Sequence, residues 1–311
     1  MTSISPATID GAISMAHTNT GWVDRTAYPF ESKCLGLSAG AVHYVDEGPD
    51  DGGKATLLML HGNPTWSFIY RHLIRGLRDE YRCLAIDYLG FGLSERPPDF
   101  SYRPEDHASV VEEFVDELGL EDVVLVVQDW GGPIGLSYAI EHPENVAGLV
   151  VMNTWLWPVN DDPHFARYSR LVGGRIGREL CERFDLLTRV IMPLGFADRS
   201  KFTEAARQQY LAANRAGRTG TGVFPREIIG SQAWLSSLWQ RRENIADIPT
   251  RLVWGMDDAA FRPAELRTFE GLFEDSKTVR LYGVGHDVQE EFGADLVPLV
   301  REFLARGHDY K

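Results

Sequence analysis

An aspartate at the tip of a strand-to-helix turn is the residue of this chain best set up for chemistry. Asp129 follows the apolar run Val123-Val124-Leu125-Val126-Val127 and precedes Trp130-Gly131-Gly132. The run reads as a strand buried on both faces, and the pattern from Ile134 to Ile140 reads as a helix. A side chain at such an apex is held up on a strained backbone while the first N–H groups of the helix point at it. A carboxylate there could cap the helix or attack carbon as a nucleophile, and the stretch alone leaves both open. Two more carboxylates, Asp257 and Asp258, follow a later strand-like run, Thr250 to Trp254. His286 follows the last such run, Lys277 to Tyr282. A nucleophilic acid, an orienting acid and a histidine base form a set able to make and then hydrolyse a covalent ester.

The other eight histidines have weaker claims. His61 belongs to a turn after a strand, where a structural role is favoured. His43, His72, His107, His142 and His308 lie on strands, helix faces or ends, where packing or solvent exposure is the default, and His17 and His164 fall in irregular segments.

The elements that must carry this set can be read in order. Residues 1 to about 30 have little periodicity and read as an irregular lead-in. Ala41 to Glu47, Ala55 to Leu60 and Tyr81 to Ile86 read as strands, with a turn over Asp50 to Gly53. Apolar spacing from Trp66 to Leu77 predicts a helix, as does Pro104 to Leu118 with Pro in its first turn. Ala147 to Met152 is a further strand. Strands alternating with helices imply a mostly parallel sheet covered on both faces, so the fold class is α/β. In such sheets ligands sit beyond the C-terminal strand ends. His61-Gly62-Asn63, Asp87-Tyr88, Asp129-Trp130 and Asn153-Thr154 all fall just there and crowd one rim.

The alternation stops near Thr154. Residues 156–225 read as an inserted helical cap over the rim, with helical stretches from Tyr168 to Leu187 and Thr203 to Asn214. The core is then residues 1–155 together with 226–311. The pattern resumes with the strand at Thr250, a helix from about Arg262 to Phe273, and a final helix from roughly Asp287 to Ala305.

Composition narrows the class of function. Acidic residues outnumber basic ones 45 to 31, a net charge of −14, which argues against a nucleic-acid partner. Only five of the basic residues are Lys, and the acidity reads either as salt adaptation or as compositional drift. Cys34, Cys83 and Cys181 are scattered without the spacing of a zinc site or a disulfide framework. Apolar runs are strand-sized and the N-terminus lacks a basic segment before an apolar core. The expectation is a cytoplasmic protein with no membrane association. Monomer and self-association both stay open.

The segments HGNPTWSFIYRHLI from His61, DYLGFGLSERP from Asp87, VVQDWGG from Val126, VWGMDDAAF from Val253 and GVGHDVQEE from Gly283 together resemble a haloalkane dehalogenase. The run PFES from Pro29 and the strand HYVDEG from His43 fit as well. HG or DWGG alone would be weak; Asn after HG combined with Trp after the elbow Asp is more specific. The resemblance implies an α/β-hydrolase fold with an inserted cap, in the chain order nucleophile, acid, base. It implies Asp129 as nucleophile, His286 as base and Asp258 as acid, the last chosen over Asp257 by counting from Gly255. It implies Asn63 and Trp130 as the halide-stabilising pair, with their backbone N–H groups as the oxyanion hole. One branch of the family carries its acid as Glu just after the strand that follows the elbow. Here that region reads Met152-Asn153-Thr154-Trp155, so the pattern resembles the branch combining Asp-His-Asp with Asn-Trp.

The implied reaction turns a small halogenated hydrocarbon and water into alcohol, halide and a proton, with no cofactor and no metal. An ionised Asp129 would displace halide from sp³ carbon without needing a base, and His286 would then activate water against the ester. The helix start is expected to help keep Asp129 ionised. Epoxide hydrolysis is the runner-up and would need cap tyrosines, for which Tyr168 and Tyr210 are available, although Asn63 favours dehalogenation. A ligand-binding receptor on a retained hydrolase fold is the non-enzyme alternative, and a cofactor-independent luciferase shares the scaffold.

Overall fold

Residues 20–50, 54–215 and 219–306 are described by a computed structural model. The expected lead-in lies outside the described residues up to position 19, as do three of the four residues of the turn expected at Asp50 to Gly53.

The strands are β1 (Lys33–Leu37), β2 (Gly40–Glu47), β3 (Thr56–Leu60), β4 (Cys83–Ile86), β5 (Val123–Gln128), β6 (Val146–Met152), β7 (Thr250–Gly255) and β8 (Ser276–Leu281). They form an 8-stranded sheet in the order β1-β2-β4-β3-β5-β6-β7-β8. β1 and β2 pair antiparallel, as do β2 and β4, and every pairing from β4 through β8 is parallel. Between the strands run α1 (Arg71–Leu77), α2 (Pro104–Glu117) and α3 (Gly131–Glu141). From β6 to β7 the chain forms α4 (Pro163–Val172), α5 (Arg175–Phe184), α6 (Met192–Gly195), α7 (Glu204–Arg215), α8 (Thr219–Gly230) and α9 (Gln232–Gln240). α10 (Pro263–Leu272), α11 (Val288–Glu291) and α12 (Leu296–Arg306) complete the fold.

The period-2 geometry of strands explains how the core divides. Val123, Leu125 and Val127 of β5 enter one apolar cluster, which also holds Phe114 of α2, Ile134 of α3 and Phe269 of α10. Val124 and Val126 enter the other, with Leu73 of α1 and Val300 of α12. Both faces of β5 are therefore dry, as its unbroken apolar run requires. The helices between β6 and β7 add to both clusters through Phe165, Phe224, Met192 and Tyr210, and keep a small core of their own at Val172, Cys181 and Leu187.

Local departures from the sequence reading have identifiable causes. β1 was not anticipated: KCLGL is only half-buried at the sheet edge and carries no alternation. The expected helix over Trp66 to Leu77 is a 3₁₀ turn at Ser67–Tyr70 followed by α1. The stretch Tyr168 to Leu187 divides at Gly173-Gly174 into α4 and α5, after which comes a π-helical turn, Leu187–Ile191. The final helix also divides, at Gly293 with φ 59°, into α11, a short 3₁₀ turn and α12. The boundary expected between 225 and 226 falls inside α8, which runs through Pro225 to Gly230.

Candidate active site

β5 delivers Asp129 to the rim with φ 51°, a left-handed backbone that only a strongly determined turn imposes on an aspartate. The turn is tied across to the end of β6: Asp129 N–H donates to the Asn153 carbonyl at 3.0 Å, and the Thr154 hydroxyl donates to the Asp129 carbonyl at 2.6 Å. Close approach explains two glycines. A Cβ on Gly62 would sit 2.4 Å from the Asp129 side chain, and one on Gly131 would sit 2.0 Å from the Leu60 carbonyl oxygen. Any larger residue at either position would push the elbow away from the loop after β3.

That loop supplies the first donor. Asn63 N–H donates to Asp129 Oδ1 at 2.8 Å, and the Trp130 N–H also bonds the carboxylate. The Asn63 side-chain Nδ2 donates to the Thr221 carbonyl of α8 at 3.4 Å, while its Oδ1 is buried without a partner among the described residues. Trp130 is buried, and its ring packs edge-on against Trp155 at 4.6 Å and at a tilt against Phe224 of α8 at 5.3 Å.

His286 lies between two carboxylates. Its Nε2 is 3.7 Å from Asp129 Oδ2, and its Nδ1 is 3.0 Å from Asp258 Oδ2. Asp258 is buried and also accepts from Asn153 Nδ2 at 2.8 Å and from Ala260 N–H at 2.6 Å. Asp257 is exposed and accepts instead from the Gly283 N–H. The structure thus brings Asp129, His286, Asp258, Asn63 and Trp130 to one place and leaves Asp257 outside it.

The charges follow from burial and proximity. Burial pushes the Asp129 carboxyl above its ordinary value, against the opposing pull of His286 and of the Asn63 and Trp130 N–H groups. The expected help from the helix start is therefore outweighed by loss of water. Burial alone would lower His286, but Asp258, Asp287 and Asp129 overcome it and raise the imidazole to about 10. Asp287, buried beside it, is pushed up to about 7, chiefly by desolvation.

Several neighbours were given no role from sequence, although Asn153 was placed at the rim. Asn153 hydrogen-bonds Asp258, donates to the Gly255 carbonyl at 3.0 Å and accepts the Gly255 N–H at 2.8 Å, so it fixes the acid to the end of β7. Its place directly after β6 was the available signal. Gln128 Nε2 is 3.2 Å from His286 Nε2 and donates to the His286 carbonyl at 3.2 Å. Glu291 of α11 accepts N–H groups from Gly285 at 2.7 Å, Ala197 at 3.2 Å and Asp198 at 2.6 Å, and His286 N–H donates to the Gly195 carbonyl at 2.8 Å. No local spacing announces contacts between such distant segments.

Other residues are accounted for structurally. His61 Nδ1 lies 2.8 Å from the Gly62 carbonyl, its Nε2 accepts the Tyr88 N–H at 3.2 Å, and burial lowers it to about 4. His43 is buried against Asp87 at 2.8 Å. The Tyr210 hydroxyl donates to Glu290 at 2.7 Å, which Arg71 also grips. Tyr168 is different: burial and the charge of Asp129 raise its phenol.

The family model described as the alpha/beta hydrolase fold matches residues 55–292. The chain belongs to the α/β-hydrolase fold family. Within it, the chain is 40% identical over 272 residues to haloalkane dehalogenase 2 of Mycobacterium tuberculosis (strain ATCC 25618 / H37Rv), covering 86% of this chain and 93% of that one. It is 33% identical over 298 residues to a cis-3-alkyl-4-alkyloxetan-2-one decarboxylase of Xanthomonas campestris pv. campestris, covering 90% and 97%. Haloalkane dehalogenase DbeA from Bradyrhizobium elkani USDA94 superposes with a TM-score of 0.78 at 25% identity, over 89% of this chain and 99% of that chain. The dehalogenase likeness read from five short motifs therefore extends over most of the chain.

Proposed function

We propose that this protein is a hydrolytic haloalkane dehalogenase that works through an alkyl ester on Asp129. The supporting observation is the line Asp129, His286, Asp258 with the Asn63 N–H on the nucleophile, in a chain 40% identical to a haloalkane dehalogenase over 272 residues. The helices inserted after β6 act as the cap, and the small-molecule substrate sits between them and the rim.

In the first step an Asp129 oxygen attacks the halogen-bearing carbon, the C–O bond forms as the carbon–halogen bond breaks, and the pair of electrons leaves with the halide. The Asn63 amide and the Trp130 indole are the donors for that anion, in a site dry enough to make each N–H count. Before this step the imidazole of His286 is protonated and opposes a charged Asp129. Esterification removes the Asp129 charge, the smallest of the three acidic influences that hold His286 up, and His286 yields its proton to solvent before it acts as base. His286 then takes a proton from water, the hydroxide oxygen adds to the ester carbonyl, and the Asn63 and Trp130 N–H groups hold the oxyanion. Asp258 keeps Nδ1 protonated and the ring oriented. Collapse returns the Asp129 carboxylate and the alcohol and leaves His286 protonated, as it began, so the one proton released per turnover is the one given up before water was activated.

A second reading, opening of a four-membered lactone, has the decarboxylase relative behind it. Epoxide opening has less support, because Tyr210 is committed to Glu290, which leaves Tyr168 as the one of the two cap tyrosines that feels the charge of Asp129. Halide and proton release from a panel of bromo- and iodoalkanes decides among them. Release by the wild type and none by Asp129→Ala is expected. No halide from any member, with alkene and carbon dioxide from a cis-3,4-dialkyloxetan-2-one or diol from an epoxide, overturns the proposal.

A further inference from the structure

We propose that the outer face of α5 and the turns beside it form a docking surface for an anionic lipid bilayer. Seven large apolar side chains are exposed among the described residues, and six of them, Leu171, Ile176, Leu180, Phe184, Val190 and Leu194, lie within one stretch of 24 positions. Ile176, Leu180 and Phe184 are spaced four apart and make one stripe along α5, with Ile176 78% and Phe184 62% exposed. The inward face of the same helix is already used, since Gly177 and Cys181 are buried and Cys181 packs with Val172 and Leu187. The helix therefore has an apolar side that nothing among the described residues covers, and contiguous exposed apolar surface of this kind marks an interaction site.

Charge identifies the partner. Between positions 163 and 195 six arginines (167, 170, 175, 178, 183 and 189) stand against three acids (179, 182 and 185), a local balance of +3 in a chain of net −14. Arg170, Arg175, Arg178 and Arg226 line one cleft of about 610 Å³ beside the stripe. Arg170 and Arg175 have no carboxylate within salt-bridge distance among the described residues, whereas Arg178 and Arg183 pair along the helix with Glu182 and Glu179. An apolar stripe bordered by arginines is the arrangement of a helix lying in a bilayer interface, with side chains in the acyl boundary and guanidinium groups on lipid phosphates. A two-fold pairing of two copies through this face would set the same arginines against each other. No described helix is long and apolar enough to cross a membrane, and a helix lying in the interface does not need to be. The proposal departs from the sequence expectation of no membrane association.

The position suits an apolar substrate. Gly195 at the end of α6 accepts the His286 N–H, and Leu194 beside it belongs to the exposed apolar set, so the docked face adjoins the wall around the site. That last point rests on the dehalogenase reading, but docking itself does not.

Flotation of the full chain with vesicles tests the proposal without reading halide release. Binding to phosphatidylcholine–phosphatidylglycerol vesicles and not to phosphatidylcholine alone is expected, reversed by molar salt and untouched by inorganic phosphate at matched ionic strength. Two variants, Ile176→Ser/Leu180→Ser/Phe184→Ser and Arg170→Glu/Arg175→Glu, should each cut the bound fraction by about tenfold or more. Their thermal midpoints, compared with the wild type, establish that both fold. Wild-type protein that does not float with anionic vesicles overturns the proposal, as does binding that both variants retain. A concentration-dependent dimer that the triple variant dissolves would assign the face to a second copy instead.

Discussion

The rim of the sheet and the helices that cover it solve different problems. At the rim the backbone does the positioning: Asp129 has a left-handed φ, Gly62 and Gly131 make room for it, and Asn153 locks Asp258 to β7. In the covering segment positions are set by side-chain packing, with Phe224 against Trp130, Cys181 against Val172 and Leu187, and an outer apolar stripe left unburied. Chemistry that tolerates errors of less than an ångström belongs on the first kind of support, and surface and substrate range can vary on the second.

If the division is right, changes at the rim should destroy rate while sparing the fold. The largest effect is expected for His286→Ala, which should lose at least about 10⁴-fold in turnover. It should nevertheless accumulate Asp129 ester with 1-bromobutane, read as an alkyl mass adduct, because the first step needs no base. An unmodified protein would break the two-step scheme. Next comes Asn63→Ala, expected to cost about 10²–10³ in the rate of ester formation, as measured by single-turnover halide release. A loss confined to substrate affinity would move Asn63 from the chemistry to the pocket wall. The smallest effect is on stability against pH. His286 is raised above 6.5, to about 10, so its contribution is complete below the lower value and is lost as pH climbs through the upper one. Asp287, raised to about 7, pushes stability in the same direction over a lower range. The thermal midpoint of the wild type should therefore fall from neutral to alkaline pH more steeply than that of His286→Gln, and equal slopes would remove the ionic account.

The same division explains what could be read from sequence. Asp129 was legible because a β-branched run, an acid and two glycines describe a strand, a tip and a close approach within ten residues. Asp258 and Asp257 were separable by their count from Gly255, and one is buried against His286 while the other faces solvent. β3 through β7 follow from apolar runs whose alternate residues enter two clusters. β1 was not legible, because an edge strand with half-buried residues has no pattern to show. Glycines broke helices that periodicity joined, at Gly173-Gly174 and at Gly293. The raised carboxyl of Asp129 was missed because a helix start is visible in sequence and the loss of solvent around it is not. Contacts such as Glu291 with Ala197 and Asp198 join segments more than 90 positions apart, beyond any local spacing.

Glu291 also has a consequence for anyone who would exchange the covering helices for those of another enzyme. One carboxylate gathers the N–H groups of Gly285, Ala197 and Asp198, and the neighbouring Gly195 carbonyl takes the N–H of His286. A graft cut anywhere between Gly195 and Asp198 would sever the mooring of the His286 loop, even though none of Asp129, Asp258 and His286 had been replaced. Chimeras that retain Gly195 to Asp198 from this chain should keep their histidine in register. Those that import the donor's turn will need the donor's α11 as well, so the natural unit of exchange is a pair of segments rather than one.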